Sequence, residues 1–285
     1  MKIVIIGNCQ ARPIAILLKE KIHSLELINV GIVHLIKESQ ELEYLQYFES
    51  ADLILTQPIY DAFKYKFFET DFIKSLYRKK TLLWPNLHYK GYNPEIFYLR
   101  DATNKIIAGP LGDYHDTRIF ECWKSCLSID ACVDLLLDFD YNEKLFKDFD
   151  KNSLKEMSYR EENCDVVASH MIEMKRGEQK LFHTFNHPSN YLLRFIADEI
   201  VKILGHNISG SKNNTPVKEM LGQISLPTNV GMLSNNASSE LGDKYKGFKF
   251  DGLVFKGEQQ YTVSNLVSIF YELYDGKSSL LQLKP

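Results

Sequence analysis

The strongest constraint on how this chain can fold lies in its first dozen residues. Lys2 to Ile6 is an apolar run of the buried-strand kind, with Ile3, Val4, Ile5 and Ile6 in succession. Gly7-Asn8-Cys9-Gln10 follows, and Arg12-Pro13 then opens a helical pattern with Ile14, Leu17, Leu18 and Ile22 on one stripe. Pro13 suits a first helical turn, where its missing N–H is no loss. Cys9 is therefore expected in a strand-to-helix turn, beside the unpaired N–H groups and positive dipole end of a helix. Such a place favours thiolate over thiol and attracts anions such as phosphate. It equally suits a buried cysteine in a tight turn.

The same alternation continues. Glu26–Val33 reads as a second strand, Glu38–Phe48 as a helix, Asp52–Thr56 as a third strand ending at Gln57-Pro58, and Phe63–Tyr77 as an aromatic, basic helix. Thr81–Trp84 reads as a fourth strand ending at Pro85. A βαβα rhythm of this kind predicts a parallel sheet with covering helices, and ligands at the carboxyl ends of its strands. Cys9, Gln57 and Pro85-Asn86-Leu87-His88 fall at those ends. Beyond residue 100, Lys105–Ala108 reads as a last short strand before a Gly/Pro-rich loop carrying Tyr114 and His115. Helices are expected over Thr117–Asp138, Asn142–Glu156, Ser158–Met174, from Ser189 to Gly205, and over Val263–Tyr274. The fold class is thus α/β and helix-rich: a short central parallel sheet in the N-terminal part, flanked by helices, with a largely helical second half. We expect a catalytic core over 1–205, in which 1–110 alternates strand and helix and 111–205 is mainly helical. Residues 206–285 form a C-terminal extension packed on it, starting with a polar loop over 206–216.

Composition narrows the function. A chain of 285 residues with 45% hydrophobic and 25% charged residues is an ordinary globular protein. Its formal net charge of −3 gives no global field to recruit nucleic acid. The five cysteines, Cys9, Cys122, Cys126, Cys132 and Cys164, are odd in number and form no CxxC pair. This argues against a disulfide framework or zinc site and for reduced thiols in the cytoplasm. Cys122 and Cys126, four apart on one expected helix, read as small core residues rather than half of a metal site. No run is long enough for a transmembrane segment, and the start lacks the parts of a signal peptide.

Cys9 is the best nucleophile candidate, and a nucleophilic thiol needs a base and an oxyanion site. His187 is the best base candidate: placed before Pro188 at a helix start, it would be kept neutral by the dipole. Alternatively, Asn186 or His187 simply caps that helix. His115 and His88 come next. Arg12, one helical turn from Gly7–Gln10, is placed to meet a phosphate.

Strand-Gly-Asn-Cys-Gln-helix, Gly91-Tyr92-Asn93-Pro94, Gly109-Pro110 with Tyr114-His115, and Asn186-His187-Pro188-Ser189, in this order, resemble the WcbI family of bacterial polysaccharide-biosynthesis proteins over roughly residues 1 to 205. The resemblance implies coenzyme A binding and acetyl transfer from acetyl-CoA to a capsular or other surface sugar. It implies no metal, and Cys9 and His187 at the reacting centre with His115 or His88 in reserve. Asn8, Gln10, Gln57 and Asn186 would serve as oxyanion or orienting groups. Gly7, Arg12, His88, Tyr89, Tyr92 and Ser189 would line the coenzyme site, the tyrosines stacking on adenine or sugar. A more distant likeness is to SGNH-type esterases and acetyltransferases, whose base lies in Asp-x-x-His-Pro; here Thr184 stands at the acid's position. Two alternatives therefore remain: a carbohydrate esterase with the same Cys/His pair, and a non-catalytic sugar- or nucleotide-binding module.

Overall fold

The structure, a computed structural model, describes residues 1–60, 65–206, 218–235, 244–250 and 255–278. The chain divides into two compact units: 1–88, 155–173 and 188–221 form the first, and 89–154, 174–187 and 222–285 the second. The units interleave along the sequence. The loop expected over 206–216 lies, apart from His206, outside the described residues.

In the first unit, β1 (Lys2–Gly7), β2 (Glu26–Ile32), β3 (Leu53–Thr56) and β4 (Thr81–Leu83) form a parallel sheet in the order β2-β1-β3-β4. Three helices connect them: α1 (Ala11–Lys21), α2 (Glu41–Ser50) and α3 (Thr70–Tyr77). The four expected strands are present. The expected helix over Phe63–Tyr77 is shorter, because a 3-10 turn at Lys66–Phe68 precedes α3; Phe63 itself lies outside the described residues. β1 is central and buried from Ile3 to Gly7, so its apolar run faces both sides. Val4 and Ile6 pack with Ile54, with Tyr44 and Phe48 of α2, and with Ile73 of α3. The chain leaves β1 in one direction across the sheet and returns in the other, and right-handed crossovers then put α1 on the opposite face from α2 and α3. The helix α9 (Asn190–Ile203) lies against α1, tied by Lys21–Asp198 at 2.7 Å.

The second unit holds the short pair β5 (Ile96–Tyr98) and β6 (Tyr114–Asp116), then α4 (Thr117–Lys124), α5 (Ile129–Leu137) and α6 (Phe139–Phe146). The chain passes between units within α7 (Phe149–Arg160) and α8 (Ser169–Lys175), which precede the short strands β7 (Phe182–Thr184) and β8 (His187–Pro188). A hairpin, β9 (Tyr245–Phe250) with β10 (Phe255–Tyr261), and the final helix α10 (Val263–Lys277) complete it. The expected strand at Lys105–Ala108 is only a single bridge, Arg100 to Ile106. The expected helix over Thr117–Asp138 is two helices, because Cys126 turns left-handed (φ 55°) and Ser128 caps α5 through Ala131 N–H. Cys126 is therefore exposed and off the helical face of Cys122. The helix expected over Asn142–Glu156 is likewise split between α6 and α7, and the one over Ser158–Met174 is reduced to the end of α7 and α8. The buried Arg118 guanidinium is held by Asp116 (2.6 and 3.0 Å) and Asn142 (2.6 Å), with Glu95 at 3.7 Å. These contacts satisfy a charge that could not otherwise stay out of water.

Candidate active site

The Cys9 turn sits where the sheet order reverses, at the carboxyl ends of β1 and β3, the switch point at which open α/β sheets bind ligands. Neutral amides build it. The Asn8 N–H donates to Gln57 Oε1 at 2.8 Å, and the Gln10 N–H donates back to Asn8 Oδ1 at 2.9 Å, an Asx turn. Asn8 Nδ2 donates to Asn86 Oδ1 at 2.9 Å. Gln10 Nε2 donates to the Leu87 carbonyl at 2.7 Å, while Gln10 Oε1 accepts from Leu87 N–H at 3.2 Å and Gln57 Nε2 at 3.1 Å. Gln57 Nε2 also reaches the Pro85 carbonyl at 3.4 Å. The loops after β1, β3 and β4 are thereby stitched together. Gly7 is required by close approach: a Cβ there would meet Gln57 Oε1 at 2.9 Å and Trp84 Cζ2 at 3.2 Å.

These bonds bear on the roles expected for two residues. Gln10 and Gln57 are buried and their amide hydrogens serve the turn, as does the Gln10 backbone N–H, so they position rather than contact an oxyanion. Asn8, half-buried, has a second Nδ2 hydrogen beyond its bond to Asn86. Cys9 is half-buried, and burial pushes its thiol up, opposed by its own backbone N–H. Desolvation outweighs the expected helix-end effect, so the resting group is the thiol. Arg12 is exposed on the first turn of α1, and His88 is half-buried after β4. Asn86 lies in the Pro85-Asn86-Leu87-His88 segment expected at the strand ends, and Trp84, just past β4, packs against the same turn without a role having been expected of it.

His187 belongs to the second unit. Tyr114 Oη donates its proton to Asn186 Oδ1 at 2.6 Å, and so meets His187 Nε2 at 3.2 Å as an acceptor. The network assigns the imidazole proton to Nε2 and the lone pair to Nδ1, which is buried without a hydrogen-bond partner among the described residues. Burial, with a smaller contribution from His183, pulls His187 down to about 4, so it is neutral at pH 7. Its neutrality comes from desolvation, while Ser189, rather than Asn186 or His187, caps α9 by accepting from Leu192 N–H. That bond gives the Ser189 oxygen a structural task at a position where a coenzyme contact was expected. Thr184 donates to Asn186 Oδ1 at 3.1 Å.

His115 is fully buried, with Nε2 on the Ile107 carbonyl (2.7 Å) and Nδ1 on Tyr274 Oη (2.9 Å). Both ring nitrogens are occupied inside the core, so His115 is a packing residue and not a reserve base. Tyr89 and Tyr92 are likewise buried rather than open for stacking. Tyr89 donates to Asp150, which Arg176 also holds, and Tyr92 donates to the Arg176 carbonyl at 2.9 Å. Among the described residues, no cluster of three His, Cys, Asp or Glu could hold a metal ion, and no helix is long and apolar enough to cross a membrane.

A parallel sheet with a cysteine in the turn at its switch point defines an α/β protein of the class that holds ligands beyond its strand ends. Residues 2–209 match the family described as polysaccharide biosynthesis enzyme WcbI, and the chain belongs to that family. A solved structure described as WcbI, a novel polysaccharide biosynthesis enzyme, superposes with a TM-score of 0.74 at 17% identity. The match covers 100% of this chain and 90% of that one. That protein is described as native and without a disulfide bond between coenzyme A and one of its cysteines. No curated protein matches this sequence.

Proposed function

We propose that this protein is an acyl-CoA-dependent O-acyltransferase, most simply an acetyltransferase, that modifies a sugar hydroxyl of a surface polysaccharide precursor in the cytoplasm. The observation that carries the reading is Cys9, a thiol presented by a rigid amide-locked turn at the sheet's switch point, in a chain of the WcbI family. The mention of coenzyme A beside a cysteine in the description of the structural relative supports it. Cys9 acts as the nucleophile. Its sulfur attacks the thioester carbonyl, coenzyme A departs as thiol, and the sugar hydroxyl then takes the acyl group and restores the cysteine. Because burial keeps Cys9 protonated at rest, the reaction needs a neutral base to take its proton. Asn8, through its second Nδ2 hydrogen, is the oxyanion donor, and Arg12 meets a coenzyme phosphate.

Calorimetric titration with coenzyme A, acetyl-CoA and dephospho-coenzyme A, beside an acyl-transfer assay, tests the reading. Micromolar binding that weakens without the 3′-phosphate is expected. Cys9→Ala should cut turnover by orders of magnitude with coenzyme A affinity nearly unchanged. No binding at millimolar ligand would end the transferase reading and favour the esterase, which needs no coenzyme.

A further inference from the structure

Two short elements of the second unit bring an imidazole and a phenol together. His187 ends the turn that follows β7, and Tyr114 lies on β6, where its pairing with Tyr98 fixes it. The Tyr114 ring is buried, stacked on Tyr98 at 5.5 Å and met edge-on by Phe185 at 5.4 Å. A phenol wedged in this way carries its hydroxyl on a rigid arm. That hydroxyl lies 3.2 Å from His187 Nε2. The other ring nitrogen, Nδ1, is buried and meets no hydrogen-bond partner among the described residues.

Burial treats the two nitrogens differently. A neutral imidazole has one N–H and one lone pair. An N–H at Nδ1 would be a buried donor with no acceptor, which folded proteins rarely hold, whereas an unmet lone pair is tolerated more often. The proton therefore sits on Nε2, and Tyr114 Oη accepts it through one of its two lone pairs. This holds whatever else the hydroxyl meets, and its 2.6 Å bond to Asn186 Oδ1 is compatible with it. Among the described residues no carboxylate is hydrogen-bonded to His187. Thr184, where SGNH-type proteins carry their acid, donates to Asn186 Oδ1 instead. We propose that Tyr114 is a positioning residue for His187: it holds the ring as the Nε2–H tautomer, which makes Nδ1 the atom that accepts a proton from a thiol or a hydroxyl. The proton leaves its sulfur or oxygen, the bonding pair stays on that atom, and the ring becomes a cation with both nitrogens protonated. The Nε2–H bond to Tyr114 is then charge-assisted and tightens, so a neutral oxygen supports the protonated ring in place of a carboxylate. The kinetic consequence rests on the acyl-transfer reading; the tautomer does not.

The test uses the full chain labelled with nitrogen-15. Long-range proton–nitrogen correlation spectra read both ring nitrogens of each histidine, and the His187 signals are those lost in His187→Gln. In wild type at neutral pH, Nε2 should bear the proton and Nδ1 the lone pair. Tyr114→Phe keeps the wedged ring and removes the acceptor. In that variant the Nε2-bound proton should shift upfield, and kcat for acyl transfer should fall about tenfold or more with KM for the acyl donor nearly unchanged. A wild-type ring protonated at Nδ1 overturns the proposal. So does an unchanged Nε2 proton signal, or an unchanged kcat, in Tyr114→Phe. Absence of acyl transfer by wild type ends the acyltransferase reading, and the two spectra then uphold or overturn the proposal by the same criteria.

Discussion

Gln10→Leu tests the amide framework of the Cys9 turn. The substitution keeps the volume close to that of glutamine but removes both ends of its amide. Leu87 N–H, now 3.2 Å from Gln10 Oε1, loses its acceptor, and the Leu87 carbonyl, 2.7 Å from Gln10 Nε2, loses its donor. Gln10 and Leu87 are both fully buried, so water does not replace either partner. Each orphaned group costs about 1–3 kcal/mol, which gives about 2–6 kcal/mol for the pair. That is a large share of the about 5–15 kcal/mol that holds an ordinary domain together. Urea unfolding reads the loss as a lower midpoint, and amide hydrogen exchange locates it, with Leu87 N–H losing protection more than Ile14 N–H on α1. Gln10→Glu discriminates further. An ionised carboxylate would be buried without a cation and would set an oxygen against the Leu87 carbonyl, so at neutral pH it should cost at least as much as leucine, and it should recover part of that loss at low pH, where the protonated acid donates to the carbonyl again. A Gln10→Leu protein within about 0.5 kcal/mol of wild type, with Leu87 exchange unchanged, would refute the claim that these bonds hold the turn; surface substitutions stay within that range.

Three further outcomes follow from the same geometry. Gly7→Ala drives a methyl against Gln57 Oε1 and Trp84, and overpacking of this kind costs about 1–3 kcal/mol; an unchanged thermal midpoint would show that Gln57 moves freely. Exposed Cys126 should react with iodoacetamide at neutral pH well before Cys9, whose burial disfavours the thiolate, and peptide mass spectrometry gives the order. His187 and His115 are both held down to about 4, below the 6.5 of an unperturbed histidine. The unfolded chain therefore takes up protons between those values that the folded chain refuses, so stability should fall as pH drops from about 6.5 toward 4. A urea midpoint that stays flat from pH 7 to 4.5 would contradict the burial of the two rings.

The first unit was legible where one local pattern decided the outcome. The apolar runs at Lys2–Ile6, Asp52–Thr56 and Thr81–Trp84 had to be buried strands, and the rhythm between them made the sheet parallel. The position of the Cys9 turn came with them. What the sequence did not show were the partners that set its chemistry. Asn86 and Leu87 meet Asn8 and Gln10 from almost eighty residues away, and burial of Cys9 is a property of the folded surroundings. The same holds for His115, whose neighbours Ile107 and Tyr274 decide that it packs rather than reacts. Helix ends were lost for a local reason. Leu127-Ser128-Ile129 holds a capping serine inside an apolar pattern that reads as continuous helix. The β9–β10 hairpin was missed because two lysines and a glycine break up its alternation in Tyr245–Phe250.

The turn that carries Cys9 is braced by the side-chain amides of Asn8, Gln10, Gln57 and Asn86. None of them gains or loses a proton in the range where enzymes work, and none carries a charge that salt could screen. The bracing should therefore hold its shape while buffer and acidity vary around it. An activity profile taken across pH would then report the ionisation of the reacting groups themselves, undistorted by a scaffold that titrates with them.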